Sequence, residues 1–154
     1  MLTHPKPYRY ESVSLDDLGS VDIPFFTPNQ LPDNYCARYA RLAAEAIFGK
    51  RFPVADAWHM RKQKGVVTIN TNDPDFMQLV GREAIRPGMM IGVYRPDSDF
   101  NRRDRDYTHV ALYLGLQNGV PLLIEQCIGQ VRTVSLDRYQ QEGFGIREAI
   151  DVRK

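Results

Sequence analysis

The chain has 154 residues, 43% of them apolar, and its 20 Lys and Arg against 19 Asp and Glu leave a formal charge of +1. That length suits one compact domain around a single hydrophobic core, and the even balance leaves no electrostatic footprint for nucleic acid or an anionic membrane. The longest apolar runs, such as Val110 to Leu116 and Val120 to Ile124, fall far short of the roughly 20 residues a membrane-spanning helix needs, which excludes membrane insertion.

Residues 1–32 hold five of the ten prolines. Proline removes a backbone donor and fixes φ, so this stretch is expected to be an irregular wrapping arm with at most a short helical turn near 14–18. The N-terminus lacks the apolar segment of about 7 to 15 residues that marks a secretory signal. The chain is therefore expected to be cytoplasmic as synthesised, unless it has been trimmed. No internal repeat or low-complexity tract is visible, and 1–154 reads as one domain.

From Asp33 the texture changes. Tyr39, Ala40, Ala43, Ala44, Ile47 and Phe48 recur at helical spacing, with Arg38, Arg41 and Glu45 on the opposite stripe. Asp33 or Asn34 can cap this helix and Gly49 can end it, which puts Cys36 in its first turn. A shorter helix is expected over Val54 to Gln63 and another over Asp75 to Val80, with Gly65 and Asn72-Asp73-Pro74 as breaks. After Arg86-Pro87-Gly88, four runs read as strands: Met89 to Tyr94, Val110 to Leu116, Pro121 to Cys127 and Val131 to Val134. They imply a meandering antiparallel sheet, with Arg95 to Tyr107, rich in Arg and Asp, as a long exposed loop. Helices followed by strands indicate an α+β layout.

Only two cysteines occur, Cys36 and Cys127, without the spacing of a structural zinc site. A single bridge between them stays open as an alternative to two free thiols. The first turn of a helix offers unpaired N–H groups and a positive dipole end, both of which favour a thiolate. Cys36 is thus a candidate nucleophile, although on its own it reads equally well as a small core residue beneath the helix.

His109 changes that balance, because it opens the apolar strand Tyr107-Thr-His-Val-Ala-Leu-Tyr-Leu-Gly115, where packing has no need of a histidine. Alternation groups His109, Ala111 and Tyr113 on one face, with small Ala111 leaving room beside the imidazole. On the next strand Glu125 and Cys127 share one face and Gln126 takes the other. A carboxylate inside a Leu- and Ile-rich run is costly unless a donor answers it, and the imidazole is a natural partner. A base that takes a proton from a thiol needs a third group to hold its far nitrogen. Glu125 fits that role, with Gln126 as the amide alternative. His4, in the proline-rich arm, and His59, after Trp58, read as ordinary packed or solvated histidines.

Cysteine at a helix start, histidine entering a strand and a polar residue on the next strand, in this order, resemble the NlpC/P60 superfamily of papain-like cysteine hydrolases, and within it the CHAP amidase and peptidase domains. The likeness rests on Tyr35-Cys-Ala-Arg-Tyr39, Ala57-Trp58, Pro87-Gly-Met-Met-Ile-Gly-Val-Tyr94, His109-Val-Ala-Leu-Tyr-Leu-Gly115 and Ile124-Glu-Gln-Cys127. It implies a papain-like fold of N-terminal helices packed on the sheet, a Cys36-His109-Glu125 triad, and an oxyanion hole that uses the Cys36 N–H. Tyr35, Trp58, Gln126 and Cys127 would shape the site, with no cofactor and no metal. The implied substrate is a peptidoglycan amide, within the stem peptide or at the glycan-peptide junction. The enzyme would then reach the wall by phage, holin or an injection system, with an immunity or inhibitor protein as a further partner. Met89 stands where the family carries an acidic or amide residue, and Cys127 where it carries Asn. Two rival readings remain: a related hydrolase or acyltransferase acting on an intracellular protein or lipid, and a silent structural or adaptor domain.

Overall fold

The structure is a computed structural model that describes residues 6–27, 29–30, 36–53, 57–70, 75–94, 107–127 and 130–153. The side chains of Trp58 and Asn70 fall outside that description. So do several residues singled out above: His4, Asp33, Asn34, Tyr35, the 95–106 part of the charged loop, and the 72–74 break.

The architecture is α+β. The helix expected from the 3.6-residue periodicity is α1, Cys36–Phe48. It buries Ala37, Tyr39, Ala40, Leu42, Ala43 and Ala44, and the run of alanines on that face lets the helix lie close on a sheet. Gly49 ends it in the left-handed conformation (φ 67°). Its N–H bonds to the Glu45 carbonyl at 3.0 Å and the Lys50 N–H to that of Ala44 at 3.2 Å, which satisfies two of the orphan carbonyls.

The expected strands appear as β4 (Met90–Tyr94), β5 (His109–Gln117), β6 (Val120–Cys127) and β7 (Gln130–Ser135), each antiparallel to the next. Two further strands widen the meander. They are β3 (Val66–Asn70), at the far edge, and β8 (Gly145–Val152), which lies between β3 and β4, so the sheet order is β3-β8-β4-β5-β6-β7. Alternation on β5 sorts the core into two layers. Val110, Leu112 and Leu114 pack with α1 on one face, while Ala111 and Tyr113 pack on the other with Phe76 and Leu79 of α2 (Phe76–Gly81) and Leu136 and Tyr139 of α3 (Leu136–Gln141). Asp75 caps α2 by accepting the Met77 N–H at 3.3 Å, and Ser135 caps α3 by accepting that of Arg138 at 3.3 Å.

The irregular arm expected over 1–32 is corrected. It contains a β-hairpin, β1 (Arg9–Leu15) and β2 (Gly19–Phe25), in register from Arg9 opposite Phe25 to Leu15 opposite Gly19. Proline argues against strands mainly where both edges must pair. A two-stranded ribbon leaves each strand one open edge, and Pro24 is accommodated in β2. The ribbon is tied down by tertiary bonds. Tyr39 donates its hydroxyl to the Pro24 carbonyl at 2.8 Å, and the Asp16 carboxylate accepts the N–H groups of Asn118 (2.9 Å) and Gly119 (2.8 Å). The helical turn expected near 14–18 is the hairpin turn. Of the helix expected over Val54 to Gln63, residues 54–56 lie outside the described residues, and the described part is of the tighter kind, a 3-10 helix at Ala57–Lys62. Helices-then-strands is also too simple an order, since β1 and β2 precede α1 and α3 interrupts the later strands. Among the described residues no helix is long and apolar enough to cross a membrane.

Candidate active site

Cys36 is the first residue of α1, and it meets the start of β5, where His109 is the first residue. The half-buried Cys36 thiol lies close enough to the His109 side chain, and to the backbone N–H groups of Val110 and Ala37, for each of them to favour its thiolate. His109 is itself buried, 8% exposed, and its Nε2 stands 2.7 Å from Oε1 of Glu125. With Nε2 committed to the carboxylate, Nδ1 is the ring nitrogen left for the thiol. Sulfur, imidazole and carboxylate therefore converge where a helix tip meets two adjacent strands.

Burial, the largest influence on Cys36, pushes its thiol up. The positive imidazole, its hydrogen bond and the two backbone donors outweigh that, so the thiol lies below its ordinary 9.0. For His109, burial pushes down, but the charge and hydrogen bond of Cys36 and those of Glu125 lift it to about 10. The thiol is pushed down and the imidazole up, so each group favours the charged form of the other, the direction of a thiolate–imidazolium pair.

Glu125 is 0% exposed yet held ionised. Burial would raise it, but His109 and Arg132 bring it down to about 2. Arg132 lies directly opposite Glu125 in the β6–β7 register, and its Nε donates to Glu125 Oε2 at 2.6 Å. The far end of the same guanidinium grips Glu142, with Nη1 to Oε2 at 3.1 Å and Nη2 to Oε1 at 2.6 Å. The Tyr139 hydroxyl, fully buried, lies near enough to the Glu125 carboxylate for the two to influence each other but closes no hydrogen bond. Phe144 completes the surround. Its ring stacks on Tyr139 (centroids 4.3 Å apart, planes 5° apart) and lies tilted against His109 at 6.1 Å.

The three residues chosen from the sequence are thus brought together, and the four secondary ones fare differently. Gln126 is buried on the opposite face of β6, so the amide alternative is corrected: Glu125 occupies the ring nitrogen, because strand alternation turns the next side chain away. Cys127 is a free, half-buried thiol, as is Cys36, so the alternative of a bridge is not realised. Burial and the Glu125 charge push the Cys127 thiol up, opposite to the direction at Cys36. Tyr35 lies outside the described residues, and of Trp58 only its place on the 3-10 helix is described. His59 is exposed on that helix. Ala111 opens no floor beside the ring, being fully buried in the layer with α2 and α3. Met89 is also a core residue. It is fully buried, and its sulfur accepts the Arg86 N–H at 3.2 Å, closing the turn before β4.

Arg132, Tyr139, Glu142 and Phe144 escaped the reading of the sequence. One signal was available for Arg132: with Cys127 opposite Gln130, hairpin register forces residue 132 opposite 125. Nothing local marks the other three. Among the described residues no group of three or more His, Cys, Asp or Glu could hold a metal ion. Compared with known proteins, the chain matches no family model, no curated protein and no solved structure.

Proposed function

We propose that the chain is a papain-like cysteine hydrolase, related to the NlpC/P60 and CHAP enzymes, that cleaves amide bonds of peptidoglycan through Cys36, His109 and Glu125. The observation that supports the reaction type is the convergence of the Cys36 thiol, the His109 ring and Glu125, with Nε2 of the ring 2.7 Å from the carboxylate Oε1. The substrate class rests on the resemblance in motif order and spacing.

The steps follow from where the protons sit. The Cys36 thiolate attacks the carbonyl carbon, a C–S bond forms, and the carbonyl electron pair moves onto oxygen. The Cys36 backbone N–H, in the first turn of α1, would stabilise that oxyanion. As the intermediate collapses, the C–N bond breaks and His109 gives its Nδ1 proton to the departing amine, leaving a thioester and a neutral ring. His109 then takes a proton from water, the hydroxide adds to the thioester carbon, the C–S bond breaks, and thiolate and imidazolium are restored. Throughout, Glu125 fixes the tautomer and opposes the positive charge on the ring without taking the proton itself.

Incubation with purified sacculi, followed by mass analysis of the soluble fragments, tests this reading. Release of fragments with a newly freed amine, abolished by Cys36→Ala, is the expected result. No release, with turnover of another amide or a thioester, would replace the wall substrate with an intracellular protein or lipid. A Cys36 no more reactive toward iodoacetamide than an exposed thiol would leave only an adaptor domain.

A further inference from the structure

Glu125 has a structural problem that His109 alone does not solve. A carboxylate has two oxygens, and burying one without a donor costs about as much as losing a hydrogen bond to a charged group. Oε1 faces His109, while Oε2 receives the Nε of Arg132 at 2.6 Å. Arg132 sits on β7 with a third of its side chain exposed, where an unrestrained guanidinium would sample several rotamers. It is prevented from doing so by Glu142, which closes a fork-to-fork pair on Nη1 and Nη2 at 3.1 and 2.6 Å. Glu142 directly follows α3 as its C-terminal cap, a helix whose own Ser135 cap and buried Leu136 and Tyr139 anchor it to the sheet. A rigid element therefore holds a carboxylate, which holds a guanidinium, which holds the carboxylate against the histidine.

We infer that Arg132, clamped by Glu142, is a positioning residue that keeps Glu125 ionised and aimed at His109, and so sets the thiolate population of Cys36. The inference rests on the reading of Cys36 as a thiolate nucleophile and is independent of which amide is cut. A guanidinium is suited to this task because its planar fork serves two carboxylates at once. Lysine carries the charge without the fork, and its single ammonium cannot reproduce three bonds in fixed directions.

The rate of Cys36 alkylation by iodoacetamide, followed by mass analysis across pH, reads the thiolate without needing a substrate. Arg132→Met is expected to move the alkylation profile up by about one pH unit, a slowing that reaches about tenfold on its acid limb. Arg132→Lys should recover part of the loss. Glu142→Gln retains the guanidinium and lies at the surface end of the clamp, so it avoids a buried uncompensated charge; a smaller slowing in the same direction is expected. In a Glu125→Gln background, removing Arg132 should change nothing further, because its effect passes through that carboxylate. The His109 Nε2–H proton resonance, at low field in the unaltered protein, should disappear at a higher pH in Arg132→Met as Glu125 protonates earlier. If folded Arg132→Met and Glu142→Gln both give alkylation profiles that superimpose on the unaltered protein, or if Arg132→Met slows the Glu125→Gln protein as much as the parent, the inference is wrong while Cys36 stands as nucleophile. If the unaltered protein itself shows an ordinary thiol, the catalytic reading fails first.

Discussion

Nε2 of His109 stands 2.7 Å from Oε1 of Glu125, although ring and carboxylate come from different strands and lie 16 residues apart in the chain. The contact commits one face of the imidazole and leaves the other for Cys36, so one distance decides which nitrogen handles the thiol proton and which stays fixed. Its consequences for reactivity and stability can be measured.

Cys36→Ala and His109→Ala should each abolish turnover while the domain stays folded. Cys36 is half-buried at a helix end, and loss of one sulfur there is expected to cost about 1 kcal/mol or less. Far-UV circular dichroism and a melting curve check folding, and fragment release from sacculi checks activity. Full turnover by Cys36→Ala would end the scheme.

The pH dependence should differ between alkylation and turnover. Because the Cys36 thiol lies below 9.0, iodoacetamide should react with it at pH 7 to 8 far faster than with an exposed thiol, and the rate should not fall at higher pH. Turnover also needs the proton on His109, which leaves through about 10, so the rate of amide cleavage should decline there. Parallel profiles for the two reactions would show that His109 is not the acid.

Glu125→Gln should keep a measurable remainder of activity and lose stability in a pH-dependent way. The folded carboxyl is depressed to about 2 from 4.5, so its contribution is complete above about 4.5 and fades as pH falls toward about 2. Urea titrations should therefore show a deficit on the order of 3 kcal/mol at pH 7, shrinking on acidification. A deficit that grows as pH falls would contradict the assigned ion pairs.

Gly92→Ala should destabilise the domain and slow Cys36 alkylation together. A Cβ at Gly92 would run into the ring of Tyr107, and that ring is held by its hydroxyl bond to Glu148 at 2.5 Å. Relief requires moving the segment that leads into His109, two residues on, at a cost of about 1–3 kcal/mol. A lowered melting temperature with an unchanged alkylation rate would mean that the strain does not reach the site.

Periodicity made α1 legible because one stripe of Tyr, Ala and Ile repeats every three to four residues, and the β4–β7 runs were legible because they are apolar and bounded by turn residues. β8 was not, since Arg147, Glu148 and Asp151 interrupt it. Those charges are answered from distant parts of the chain: Glu148 by Arg61 and Tyr107, Asp151 by Lys50 at 2.8 Å and Arg86 at 3.1 Å. β1 and β2 were hidden because the prolines around them, and Pro24 within β2, suggest an irregular arm until the ribbon is seen bonded to Tyr39 and to the β5–β6 turn.

The sequence alone determined which residues could carry the chemistry: a thiol at a helix start, a histidine that packing does not require, and a carboxylate among aliphatic residues are each anomalous in their local setting. Local anomaly says nothing about direction in space. Only the tertiary structure decided that Glu125 comes within 2.7 Å of the ring, that Cys127 is a free thiol, and that Arg132 and Glu142 stand behind the carboxylate. Such facts depend on strand register and on where α3 docks, which are set by the packing of the whole chain.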